Sequence, residues 1–211
     1  MYTKSFFLCQ ILILCSYCVL SHSLGPGSFL AVLDVDGQEL RATGKYYMLP
    51  ASNSRGGGAG GGLALSSRDG SCPHYVMQEG HAQSNGHPVR LLPVDKLDRN
   101  ISLSSDVNIV FHAATICVQA TGWKMGGVDQ ITGRRYLKTG ALIGRPGAST
   151  VSNWFKVEKN KYGDGYKIVF CPSVCSLCKV VCGNVGVFVE NGKKWLGLSD
   201  GLPLIVNFKE H

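Results

Sequence analysis

From residue 24 onward, apolar residues rarely recur every three to four positions, the spacing an amphipathic helix requires. Short runs rich in β-branched and aromatic residues recur instead, separated by Gly, Pro, Asn and Asp. Such runs predict strands near residues 31–35, 45–49, 63–66, 74–78, 89–92, 101–104 and 107–111. The series continues near 117–121, 135–139, 154–158, 166–170, 186–190, 194–198 and 204–208. Asn191-Gly192 stands between two of these runs and is the strongest short hairpin signal in the chain. Asp36-Gly37 and Asp164-Gly165 act similarly. Many short strands at near-regular spacing point to an all-β barrel or sandwich.

Internal similarity favours a barrel built from repeats. "LSSDVNIVF" ends at Phe111, "LSDGLPLIVNF" ends at Phe208, and "STVSNWFKV" places Phe155 between them. Three comparable four-strand units closing on each other make a twelve-stranded, pseudo-threefold β-trefoil. No Gln stands two places before Trp123, Trp154 or Trp195, so the Gln-x-Trp signature of sugar-binding trefoils is missing.

The N-terminus changes the picture by setting a compartment. Lys4 precedes a largely apolar, uncharged run from Phe6 to Leu20, and Ser21-His22-Ser23 offers small residues at the cleavage positions. This reads as a secretory signal peptide over residues 1–23, too short for a membrane span. A single domain over 24–211 remains, with no membrane segment in the mature form. Cleavage removes Cys9, Cys15 and Cys18 and leaves Cys72, Cys117, Cys171, Cys175, Cys178 and Cys182. An even count in an oxidising compartment reads as a disulfide framework whose pairing the sequence does not choose. A nested arrangement within "CPSVCSLCKVVC" would staple one loop. The alternatives are a structural zinc site, which secretion disfavours, and a redox CxxC, which lacks the flanking βαβ pattern.

Other chemistry is sparse. The formal charge of +7 falls by one when Lys4 leaves, and the remaining Lys and Arg are scattered, unlike the clustered stripe that nucleic-acid binding requires. "GGGAGGG" over 56–62 lacks the Gly-Lys-Ser/Thr of a phosphate loop. His81 and His87 lie in a polar stretch, and no serine occupies a Gly-x-Ser-x-Gly elbow. No enzyme, metal or cofactor site is therefore expected. Asn100-Ile101-Ser102 is a sequon, which makes Asn100 a glycosylation acceptor.

Several segments together resemble the plant Kunitz (soybean trypsin inhibitor) family, most closely its miraculin-like branch. They are "VLDVDGQELRATGKYYMLP", "CPHYVMQ", "SSDVNIVF", "NWFKVE", "YKIVFCP", "CGNVGVFVENGKKWLGLSD" and "LIVNF", in order along the mature chain. The resemblance implies a β-trefoil, secretion to the apoplast or vacuole, a Cys72–Cys117 bond, and nested Cys171–Cys182 and Cys175–Cys178 bonds. With every mature cysteine paired internally, a monomer is expected. The resemblance further implies inhibition of extracellular or vacuolar proteases, serine type first and cysteine type second, in plant defence.

Inhibition of this kind uses an exposed loop that enters a protease like a substrate. Aligned through the flanking segments, the resemblance places that loop at "PVDKLDRNISLSS", residues 93–105. Arg99 or Asn100 is the candidate specificity residue, Ile101 matches the position after the scissile bond, and Lys96 is a further candidate. Two departures point to an alternative: a miraculin-like, non-inhibitory binding, defence or storage protein. Ala42 or Thr43 stands where family inhibitors hold the loop with Asn, and Asn100 is itself the sequon residue.

Overall fold

The computed structural model describes residues 30–51, 60–70, 72, 74–117 and 120–211. The expected signal peptide and most of the glycine run lie outside them. Strands in chain order are β1 (Tyr46–Pro50), β2 (Leu63–Ser66), β3 (Tyr75–Gln78), β4 (Val89–Pro93), β5 (Val107–Phe111) and β6 (Lys124–Val128). Then come β7 (Arg135–Lys138), a 3-10 helix (Ala148–Asn153), β8 (Lys156–Lys159) and β9 (Tyr166–Phe170). The chain ends with β10 (Gly183–Glu190), β11 (Lys193–Ser199) and β12 (Ile205–Glu210).

Six strands close a barrel. β4 pairs with β1 and β5, β9 pairs with β8 and β12, and β12 pairs with β1 from Tyr46↔Glu210 to Pro50↔Val206. The remaining seam, between β5 and β8, is joined by a Val107↔Phe155 bridge with bonds of 2.8 and 2.9 Å. The other six strands form three hairpins, β2–β3, β6–β7 and β10–β11. Each hairpin pairs with both others through β3, β7 and β11. A ring of six strands under a triangle of three hairpins is the β-trefoil, its units being β1–β4, β5–β8 and β9–β12. Closure leaves the barrel ring no free edge.

Period-two alternation fills the barrel. Tyr46 and Met48, Val89 and Leu91, Val107 and Ile109, Ile168 and Phe170, and Val206 and Phe208 all point inward and are buried. Aromatic rings link neighbouring sectors: Phe111–Trp123 at 5.4 Å, Phe155–Phe170 at 5.6 Å and Tyr166–Phe208 at 5.8 Å between centroids. A second cluster, Tyr75, Tyr136 and Trp195, sits under the hairpin triangle. The Asn191-Gly192 turn joins β10 to β11 with positive φ at both residues, as a type I′ hairpin demands.

The structure corrects several expectations. Phe111, Phe155 and Phe208 are not equivalent: Phe111 lies on β5, which opens the second unit, whereas Phe155 and Phe208 belong to the strands closing the second and third. They look alike in sequence because opening and closing strands both deliver a ring to the same core. Residues 31–35 and 101–104 form single bridges, Ala31↔Ser102 and Leu33↔Glu39, rather than strands. At Cys117 the backbone N–H is taken by Thr115 Oγ1 at 2.8 Å, a local contact rather than a strand pairing. β6 was hidden in the sequence by Gly126-Gly127, which accompany a register irregularity against β7. Among the described residues the 3-10 helix is the only helical element, too short to show periodicity.

Among the described residues the cysteines are bonded Cys72–Cys117, Cys171–Cys182 and Cys175–Cys178, spanning 45, 11 and 3 positions. The cluster at 171–182 is therefore a pair of staples. Cys72, His74 and Cys117 come together, but the two sulfurs are spent on each other, and a thiolate is what a soft metal ion needs.

Candidate functional site

The connection between β4 and β5 is tied at its base and free at its tip. Val94 N–H bonds the carbonyl of Asp106 at 2.9 Å, which closes the loop. Asp95 then turns the chain: its Oδ1 accepts from Leu97 N–H at 2.9 Å, and its carbonyl accepts from Asp98 N–H at 3.2 Å. This is the local backbone bonding that makes Asp a turn residue. On the returning limb, Arg99 O accepts from Ala42 N–H at 2.8 Å, and Asn100 bridges Arg41. Residues 95–99 are exposed between these anchors.

The candidate residues separate sharply. Lys96 and Arg99 are exposed, and neither enters an ion pair among the described residues. Asn100 is half-buried, with its side-chain amide donating to the carboxylate of Glu39. Ile101 is fully buried in the main core, its N–H on Leu40 O and its carbonyl taking Val32 N–H, both at 2.8 Å. The Asn100–Ile101 peptide therefore lies against the body of the molecule, and the exposed stretch is the one before it, residues 95–99.

Leu97, which sequence reasoning passed over, crowns the loop at 88% exposure. Its signal was present: a lone apolar residue inside "VDKLDRN", two places after a turn-forming Asp. At Ala42 and Thr43, where an Asn prop was expected to be missing, the Ala42 backbone still holds Arg99. No Asn side chain at those positions reaches beneath the loop.

The base of this loop is joined to the stapled segment. The buried Asp106 carboxylate accepts Ser173 N–H at 3.0 and 3.2 Å, and Lys156 Nζ donates to Ser173 Oγ at 2.5 Å. Burial raises the Asp106 pKa, and the Ser173 N–H and nearby Lys156 oppose that rise. The arrangement is an exposed loop anchored at both ends.

Comparison with known proteins agrees with this. Residues 32–210 match the model of a family described as trypsin and protease inhibitor, the legume Kunitz type. The chain is 42% identical over 179 residues to Kunitz trypsin inhibitor 5 of Arabidopsis thaliana, covering 84% of each protein. It is 36% identical over 172 residues to miraculin of Synsepalum dulcificum, covering 80% of this chain and 78% of that one. The solved structure of the bifunctional α-amylase/subtilisin inhibitor of Oryza sativa superposes with a TM-score of 0.68 at 40% identity, covering 87% of this chain and all of that one. This chain belongs to the plant Kunitz family of trypsin and protease inhibitors.

Proposed function

We propose that this chain is a secreted inhibitor of serine proteases that acts through the β4–β5 loop in plant defence. The observation that carries the reading is the exposed stretch 95–99 held at both ends by Val94–Asp106 and Ala42–Arg99 backbone bonds. A segment already fixed in shape loses little conformational freedom on binding. Trypsin-like enzymes hold an aspartate at the base of the primary pocket and chymotrypsin-like ones an apolar slot. Lys96 or Arg99 suits the first, and Leu97 suits the second. Secretion is supported by the apolar N-terminal run and by the three disulfides.

A panel of trypsin, chymotrypsin, subtilisin and a papain-type cysteine protease tests this with deglycosylated protein. We expect inhibition of at least one serine protease. Alanine at the residue occupying its pocket should raise Ki roughly 30-fold or more, the scale of an interface hot spot. Absence of inhibition across the panel would refute the inhibitor reading.

The second reading, a miraculin-like binding or storage protein, is favoured by the sequon. Asn100 adjoins the exposed tip, and its amide nitrogen already donates to Glu39. A glycan on that nitrogen would displace Glu39 and crowd the loop. Intact-mass measurement of the secreted protein, paired with the panel, separates the two: an occupied Asn100 with no inhibition supports this second reading.

A further inference from the structure

A concave groove of about 480 Å³ opens beside the β4–β5 loop, within the roughly 300–1,000 Å³ typical of small-molecule sites. One wall is apolar, made by Ala42, Leu92, Pro93 and Ile143. Charge is unbalanced across the rest: Arg90, Lys96 and Arg145 face a single acid, Asp98. None of the three cations enters an ion pair among the described residues. Arg90 adds a second, independent sign. Its Nε is shut away from solvent with no hydrogen-bond partner. A buried donor left unpaired costs free energy, and the Arg90 side chain that carries it also lines the groove.

The walls are built rather than incidental. Ala42 is held by its N–H on Arg99 O at 2.8 Å. On the far side, Gly144 N–H bonds Asn108 Oδ1 at 2.8 Å, and Asn108, fully buried, donates to Asn153 O at 2.9 Å. Gly144 keeps this turn with φ +70, and a Cβ there would meet only Lys96 Cε at 3.8 Å. The groove is therefore framed on one side by a backbone bond and on the other by the buried Asn108 side chain.

We propose that this groove binds a small organic acid, its carboxylate on Arg90 and Arg145 and its apolar body on Leu92, Pro93 and Ile143. A bare inorganic anion would leave the apolar wall unused, and a neutral hydrophobe would leave the excess positive charge of the lining unmatched. Lys96 and Asp98 belong to both groove and loop, so occupancy braces the loop tip from behind. The site stands whether or not the loop inhibits a protease.

Amide-proton NMR of the mature, disulfide-intact protein tests this at constant ionic strength with three probes: naphthoate, uncharged naphthamide and inorganic sulfate. Naphthoate should bind with a Kd on the order of 1 mM or tighter, as expected for a ligand of its size. It should shift the amides of Leu92 and Gly144 and slow hydrogen exchange at residues 96–98. Naphthamide and sulfate should each bind at least tenfold more weakly. Arg90→Met should abolish naphthoate binding, and Arg145→Ala, at an exposed position, should weaken it about tenfold and carries the decision if the first variant does not fold. Equal binding of acid and amide, equal binding of sulfate, or shifts centred elsewhere overturn the proposal.

Discussion

Asn108 shows how one side chain positions the neighbourhood of the loop. It is fully buried on β5, accepts Gly144 N–H and donates to Asn153 O. Asn108→Ala strips both partners at once, and each buried group left without a bond costs about 1–3 kcal/mol. Urea unfolding should show a loss of about 2–3 kcal/mol, and an unchanged midpoint would show that water replaces the side chain. At the loop tip the prediction is functional. Leu97→Ala should raise Ki for chymotrypsin-like enzymes roughly 30-fold while sparing trypsin, and Arg99→Ala should do the reverse. Equal effects of both on one enzyme would show that neither occupies the primary pocket. In the sequence, the charge of Lys96 and Arg99 was legible. The burial of Ile101 was not, because it depends on Leu40 and Val32, 61 and 69 residues away in the chain (101 − 40 and 101 − 32).

At the level of elements, the staples differ in reach. Chain-entropy arguments make the stabilisation grow with the length of loop closed. The 45-residue separation of Cys72–Cys117 corresponds to about 4 kcal/mol, and the 11-residue separation of Cys171–Cys182 to about 3 kcal/mol. The paired Cys72→Ser, Cys117→Ser variant should therefore lose more thermal stability than the paired Cys171→Ser, Cys182→Ser variant, by calorimetry. The inner Cys175–Cys178 bond closes almost no chain, so its removal should change Tm least. The opposite ranking would mean that native contacts, not loop entropy, dominate. Strand positions were largely legible because period-two burial leaves its mark on each strand separately. β6 was not, since Gly126 and Gly127 carry no side-chain pattern and gain their place only by pairing with β7.

For the whole molecule, the three hairpins are joined across the triangle by a polar network. Arg68 reaches Asp129 at 2.9 Å and Glu190 at 2.8 Å, and Arg134 reaches Glu190 at 2.7 Å. Arg68 also lies over the Tyr136 ring at 4.3 Å. Hydrogen bonds from the Thr132 backbone and hydroxyl, then from Arg68, hold Asp129 well below the usual carboxylate range. Burial alone would raise Glu190, but bonds from Tyr136, Arg68 and Arg134 outweigh it and hold it low. A carboxylate with a depressed folded pKa stabilises the fold above its unfolded value and loses that contribution as pH falls. Stability should therefore decline as pH drops below about 4. The buried Asp106, raised instead, runs the other way and gains from protonation as pH falls toward about 4, before the network loses its contribution. Urea midpoints against pH should show a net fall on acidification, flattened in Arg68→Ala. A midpoint unchanged by acid would mean that the network adds nothing to stability.

The sequence by itself pointed to an all-β chain, while its resemblance to the plant Kunitz family implied the three cysteine bonds and located the connection that carries the exposed basic residues. The all-β character is written locally, in alternation and turn residues. Tertiary structure alone decided which strands are equivalent, that Ile101 belongs to the core while Leu97 stands free, and that Arg68, Asp129 and Glu190 meet across three hairpins. Each of these depends on closing the barrel, which joins residues far apart in the chain, and no local pattern records a neighbour that only closure supplies.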